Sequence, residues 1–130
     1  MIFTLVVQAA PYSHQSAETA YRFAKSLLEQ GHHLHRVFFY AEGVHNSTAL
    51  ACPPQDEPNL PANWQSLALA YDLDLVVCIA AAVRRGILDD NEARRYDKAA
   101  SNLADGFELS GLGQLADAML ESDRTITFGA

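Results

Sequence analysis

Short runs rich in β-branched residues alternate along this chain with longer stretches whose apolar residues recur every three to four positions. That alternation restricts the fold more than any other feature, because strands joined through helical crossovers come out parallel. An α/β domain with a mostly parallel sheet is predicted. With 130 residues the chain has the usual size for one core, so residues 1–130 are read as a single domain.

The segment IFTLVVQA (2–9) is almost continuously apolar, which predicts a first strand in a central position, buried on both faces. In the helix that follows, Ala17, Ala20, Tyr21, Ala24, Leu27 and Leu28 share one stripe, with Ser13 placed to cap its start and Gly31 to end it. HHLHRVFFY (32–40) is the second strand, and its polar beginning predicts an edge. A loop passes through Cys52 and several prolines. Pro61 then opens a helix on which Trp64, Leu67, Ala68 and Tyr71 share a face, and DLVVCIA returns as a third, buried strand. Asp89 and Glu92 make a capping-box-like start to a helix expected to run to about Leu103. Ser110 is placed to cap a last helix carrying Leu112, Leu115, Ala116, Met119 and Leu120 on one stripe. RTITFG (124–129) closes the chain as a strand. Phe107 to Leu109 fits either a strand or a connection, so the sheet has four or five strands.

Nine Lys plus Arg against sixteen Asp plus Glu give a net charge of −7, the wrong sign for a phosphate-neutralising surface. Direct nucleic-acid binding is therefore not expected. The longest apolar run, Leu75 to Val83, is well short of the ~20 residues a membrane span requires. The N-terminal segment lacks the positive n-region of a secretory signal, and a cytoplasmic protein is expected. There is no G-x-G-x-x-G and no phosphate loop with its Lys-Ser/Thr ending, which disfavours flavin or nucleotide; no cofactor is expected. His32, His33 and His35 open a strand with no carboxylates nearby and read as a solvated edge, not a metal site. Arg94, Arg95 and Lys98 read as the solvent face of a helix.

Parallel strands send all their strand-to-helix loops to one edge, where open α/β sheets bind ligands. That rim gathers Tyr12 and His14 after the first strand, Glu42, His45 and Asn46 after the second, and Cys78, Arg84 and Arg85 at the third. Cys78 has two readings. A lone cysteine closing a buried strand is a small core hydrophobe. A thiol between a strand's carboxyl end and a helix's amino end also meets free N–H groups and positive dipole, which favour thiolate. Arg84 could add charge there, and His14 or His45 could support the thiol. Ala80, Ala81 and Ala82 are helix formers that also leave space beside the sulfur. Cys52, ahead of two prolines, reads as an incidental thiol in an extended loop.

Three segments, VFFYAEGVHNS, VVCIAAAVRRGILDDNEA and SNLADGFELSGLGQLADAMLESDRTITF, closely resemble the DsrE/TusD family of sulfur-relay proteins, nearest its DsrE branch from sulfur-oxidising bacteria. Cys78 falls on the family's persulfide-carrying cysteine, and the likeness extends to Arg84-Arg85-Gly86 and Ser110-Gly111-Leu112-Gly113. The resemblance implies a flavodoxin-like domain without flavin, with helices on both faces of its sheet. It also implies a sulfurtransferase assembled with DsrF-like and DsrH-like sister subunits as a heterohexamer. Its sulfur would be exchanged with DsrC-like (or TusE-like) and TusA-like carriers. The pathway implied is dissimilatory sulfur oxidation; the alternatives are TusD-like sulfur delivery for tRNA 2-thiouridine, or a structural subunit without catalysis.

Overall fold

In a computed structural model that describes residues 1–130, five parallel strands form one sheet. They are β1 (Ile2–Val7), β2 (His33–Phe39), β3 (Leu75–Cys78), β4 (Phe107–Ser110) and β5 (Arg124–Phe128), ordered β4-β3-β2-β1-β5. Phe107 to Leu109 thus belongs to a true strand. The helices are α1 (Gln15–Glu29), α2 (Leu60–Tyr71), α3 (Ile79–Arg84), α4 (Asp90–Arg95) and α5 (Gly113–Glu121), and a 3-10 helix spans Ala41–Ser47. From β1 to β4 the chain steps one strand at a time in one direction, so right-handed crossovers place α1 to α4 on one face. The step from β4 to β5 runs back across the sheet and leaves α5 on the other. The result is the flavodoxin-like, three-layered α/β arrangement that was expected.

Alternation along β1 divides the two layers: Leu5 and Val7 enter the main core, whereas the Thr4 hydroxyl lies 2.6 Å from the Ser122 hydroxyl at the end of α5. The main core holds Phe39 and Trp64, both fully buried, whose rings meet edge to face at 5.3 Å. Ala17, Ala20, Ala24 and Leu27 of α1 are buried, as its stripe predicts.

Several local expectations fail for tertiary reasons. β2 is not an edge: it lies between β1 and β3, and its polar start reaches only past the core, where Arg36 pairs with Asp74 at 2.7 Å. The cap position of α1 is His14 rather than Ser13, and its side chain makes no capping bond. Tyr71 leaves the α2 stripe because Asp72 turns left-handed, with φ 53°. Asp89 caps α4 as predicted, accepting from the Glu92 N–H, but the helix ends at Arg95 and not near Leu103. Asp97 adopts φ 54°, and the chain returns to bridge the 3-10 helix through Ala104 N–H to the Ser47 carbonyl. Ser110 ends β4 and does not cap α5, which starts at Gly113. α5 turns Ala118 to the sheet and packs Leu115 of the predicted stripe against the core, but leaves Met119, Leu120 and the cap residue Leu112 exposed.

Candidate functional site

Cys78 is the last residue of β3 and the N-cap of α3, at the carboxyl edge of the sheet where the strand pattern predicts it. In the β3–β4 ladder its neighbour is Ser110. Successive strands in register put side chains of paired residues on the same face, so the Ser110 hydroxyl is the nearest polar group that the ladder offers to the thiol. Gly111 and Gly113 follow it with open space where a Cβ would stand. Ser110 reads as a helix cap in the sequence. Its place beside Cys78 depends on β4 pairing with β3, which no local signal reveals.

The thiol itself is buried, with 3% of Cys78 exposed. Its cover is α3 and the 3-10 helix, and polar clamps join the two. Arg85 donates to Glu42 at 3.1 Å and to the Ala81 carbonyl, while His45 lies 3.3 Å from the other Glu42 oxygen. Glu42 therefore joins α3 to the 3-10 helix through Arg85, while its contact with His45 stays within the 3-10 helix. Beneath them Asn46, fully buried, donates to the Ala9 and Gly43 carbonyls. Gly86 closes α3 in the left-handed region, φ 77°, with its N–H on the Val83 carbonyl.

Arg84 points away from this clamp. It is exposed, takes part in none of the five salt bridges, and lines a cavity with Ile79, Ala80 and Glu92. His14 stands elsewhere, in a cavity of about 240 Å³ bounded by Tyr12, Glu57 and Pro58, and Cys78 is not among its walls. Tyr12, held at φ 71°, donates to the Pro58 carbonyl and accepts from the Leu60 N–H, so it joins the β1 exit to α2. Cys52 is exposed in its loop, its thiol 3.3 Å from the Leu50 carbonyl oxygen, and forms no disulfide with Cys78. His33 and His35 have ring centres 6.4 Å apart, and no group of three His, Cys, Asp or Glu side chains has the geometry to hold a metal ion.

The DsrE/DsrF-like family profile matches residues 1–128, from the first strand to the last. The chain belongs to this family. It is 51% identical to the DsrE protein of Allochromatium vinosum over 99% of both chains. It is 49% identical to the sulfurtransferase TusD homolog of Vibrio parahaemolyticus over 98% of both, and 48% identical to the sulfurtransferase TusD of Proteus mirabilis over the same share. Among solved structures the YchN protein of E. coli superposes with a TM-score of 0.79 at 23% identity, covering 98% of this chain and 99% of that one. That likeness establishes the fold. At the β3 exit Cys78 has Ser110 of β4 as its ladder neighbour, and the 3-10 helix packs on β3 and α3.

Proposed function

We propose that this DsrE-family chain is a cytoplasmic sulfurtransferase subunit that carries sulfane sulfur as a persulfide on Cys78 and hands it on to another protein thiol. The observation that supports this most is the position of Cys78, a lone thiol at the carboxyl edge of β3 and the amino end of α3. The names of its TusD relatives agree with it.

The chemistry is thiol–disulfide exchange in type. Cys78 thiolate attacks the outer sulfur of a donor persulfide; the new S–S bond forms as the donor's breaks, and the donor leaves as thiolate. The acceptor thiolate then attacks the outer sulfur of Cys78–S–SH, restoring the Cys78 thiolate. Neither step consumes an oxidant. Burial limits access to the sulfur, and it also keeps water and small thiols from a persulfide waiting for its acceptor.

Arg84, exposed and unpaired six residues beyond the thiol, is proposed to attract anionic reactants to this rim. Arg84→Ala should slow alkylation of Cys78 by iodoacetate about twofold to threefold relative to neutral iodoacetamide, the size expected for one exposed charge. A ratio unchanged from wild type would remove Arg84 from that role.

The partners are proposed from the family resemblance. Leu112, Met119 and Leu120 of α5 face outward, which supports assembly with DsrF-like and DsrH-like sisters in a heterohexamer. Purified with those sisters, the complex is expected to charge a DsrC-like carrier, and the Cys78→Ser complex is expected to leave that carrier without persulfide. Equal charging by both would favour the second reading, a structural subunit, which the 3% exposure of Cys78 supports. The pathway is proposed to be sulfur oxidation, on the resemblance to the DsrE branch, to whose Allochromatium vinosum protein the chain is 51% identical against up to 50% for the TusD homologs. Sulfite-reductase-type genes alongside would support it, and a tRNA-thiolation setting would favour the TusD-like alternative.

A further inference from the structure

Alternation along the central strands sorts their side chains between the two faces of the sheet. Arg36 of β2 pairs at 2.7 Å with Asp74, directly before β3, and Arg36 also donates to the Gln114 carbonyl of α5. The even-numbered residues of these strands therefore face the α5 side. Two residues further along, Phe38, Val76 and Glu108 are ladder partners on that face. The last row, at the carboxyl edge, is Tyr40, Cys78 and Ser110. Cys78 and Ser110 are partners in the β3–β4 ladder, and Tyr40 continues β2 in extended backbone one step past the Phe39–Val77 pair. The thiol thus stands between two side chains that each carry a hydroxyl.

Those hydroxyls lie at different levels. Serine carries its oxygen one bond from Cβ, as cysteine carries its sulfur, whereas tyrosine carries its oxygen a full ring further out. Neighbouring strands are about 4.8 Å apart, so the Ser110 Oγ reaches toward the Cys78 Sγ by rotation about χ1 alone. It is free to do so: the hydroxyls of Thr4, Ser47, Ser101 and Ser122 are bonded within the chain, and that of the half-buried Ser110 is not. No charge is as well placed. Glu108 shares the face but is exposed one row lower, Glu42, His45 and Arg85 are engaged with one another, and Arg84 is exposed at the far end of α3. α3 has only six residues, so few peptide dipoles add up behind the sulfur.

We infer that the Ser110 hydroxyl donates to the Cys78 sulfur whenever that sulfur is anionic, which makes Ser110 a catalytic residue of the transfer. The inference rests on the sulfur-carrier reading of Cys78 and adds a residue to that site. When an acceptor thiolate attacks the outer sulfur of Cys78–S–SH, the bond between the two sulfurs breaks and its electron pair stays on Sγ. Ser110 meets that charge with a hydrogen bond and keeps its own proton. In the loading step the same bond holds Sγ as the thiolate that attacks the donor persulfide. A neutral thiol is a weak acceptor, so the bond strengthens only as charge develops. Ser110 is joined to Cys78 through the ladder, and openings of α3 leave the two side by side.

The test follows alkylation of Cys78 by neutral iodoacetamide across pH in the full chain, with peptide mass spectrometry separating it from Cys52. In Ser110→Ala the midpoint of the Cys78 profile is expected about one pH unit higher, the scale of one hydrogen bond to a charged group. The thiolate that does form is more nucleophilic, so the alkaline plateau should rise about threefold while the rate below both midpoints falls about threefold. The two profiles should therefore cross. A merely structural change in the cover over the thiol scales the rate by one factor at every pH and gives no crossing. Ser110→Thr keeps the hydroxyl and should restore the wild-type profile, and Tyr40→Phe, which removes the other hydroxyl of the row, should leave it in place. Profiles of Ser110→Ala and wild type that superpose, or that differ by a constant factor, would overturn the inference. So would a crossing produced by Tyr40→Phe. Alkylation transfers no sulfur, and failure of wild-type Cys78 to take sulfur from inorganic polysulfide would count against the carrier reading alone.

Discussion

After incubation with inorganic polysulfide and a brief wash with a small thiol, one added sulfur atom is expected on the Cys78 peptide in the mass spectrum. Both cysteines of the chain can react with such a donor, and the wash separates them. Cys52 is exposed, so a persulfide there meets the small thiol at once and is stripped. Cys78 is 3% exposed, so sulfur that enters during openings of α3 is shielded once the segment recloses. The six residues of α3 are too few for a stable helix by themselves and depend on the Arg85–Glu42 clamp, which makes such openings accessible. Cys52→Ser is expected to leave the protected adduct at the wild-type level, and Cys78→Ser to reduce it to background. Because a buried hydroxyl in place of a thiol costs about 1–3 kcal/mol, Cys78→Ala is the companion variant, and melting curves of both establish that they fold. Protected sulfur found on Cys52 alone would refute the mechanism.

What the sequence reveals about this rim divides by range. The strands, their parallel sense and the place of Cys78 follow from periodicity, since apolar runs and helical stripes are local and repeat along the chain. The role proposed for Cys78 comes from the family resemblance. Burial of the thiol is one of the two readings of a cysteine closing an apolar strand, and at 3% exposure that reading holds; the 3-10 helix over Ala41–Ser47 that packs there reads as a polar loop in the sequence. Glu42, Asn46 and Arg85 are ordinary rim polars in the sequence; in the fold, long-range hydrogen bonds make them a clamp. α5 shows the opposite failure. Its apolar stripe predicts a core-facing helix, and only Leu115 of that stripe packs on the core, beside the buried Ala118, while Met119 and Leu120 face outward. A stripe marks what must be covered, and a partner chain can provide that cover as well as a sheet can.

The same clamp makes Gly43→Ala the most damaging small substitution expected in this molecule. Gly43 presses directly on β1: a Cβ added there would overlap the carbonyl oxygen of Val7, lie 2.7 Å from the carbonyl carbon and 3.1 Å from the Gln8 Cα. All of these are backbone atoms at the carboxyl end of β1. The Val7 carbonyl cannot move aside, because it also accepts from the Tyr40 N–H at 2.9 Å. The 3-10 helix must therefore lift, and with it Asn46 loses its reach to the Ala9 carbonyl, leaving buried polar groups without partners. A loss of about 2–4 kcal/mol follows, which for a chain of this size lowers Tm by about 10 °C. Gly113→Ala is the control, since an added Cβ there meets nothing within 4 Å. Lifting the 3-10 helix also loosens the cover over Cys78, through its packing on α3 and the Glu42–Arg85 pair. Iodoacetamide should accordingly modify Cys78 several-fold faster in Gly43→Ala than in wild type, with Cys52 unchanged as the internal standard. A lowered Tm with no change at Cys78 would show that α3 alone closes the site; both changes together would identify the 3-10 helix as the element a partner must displace to reach the sulfur.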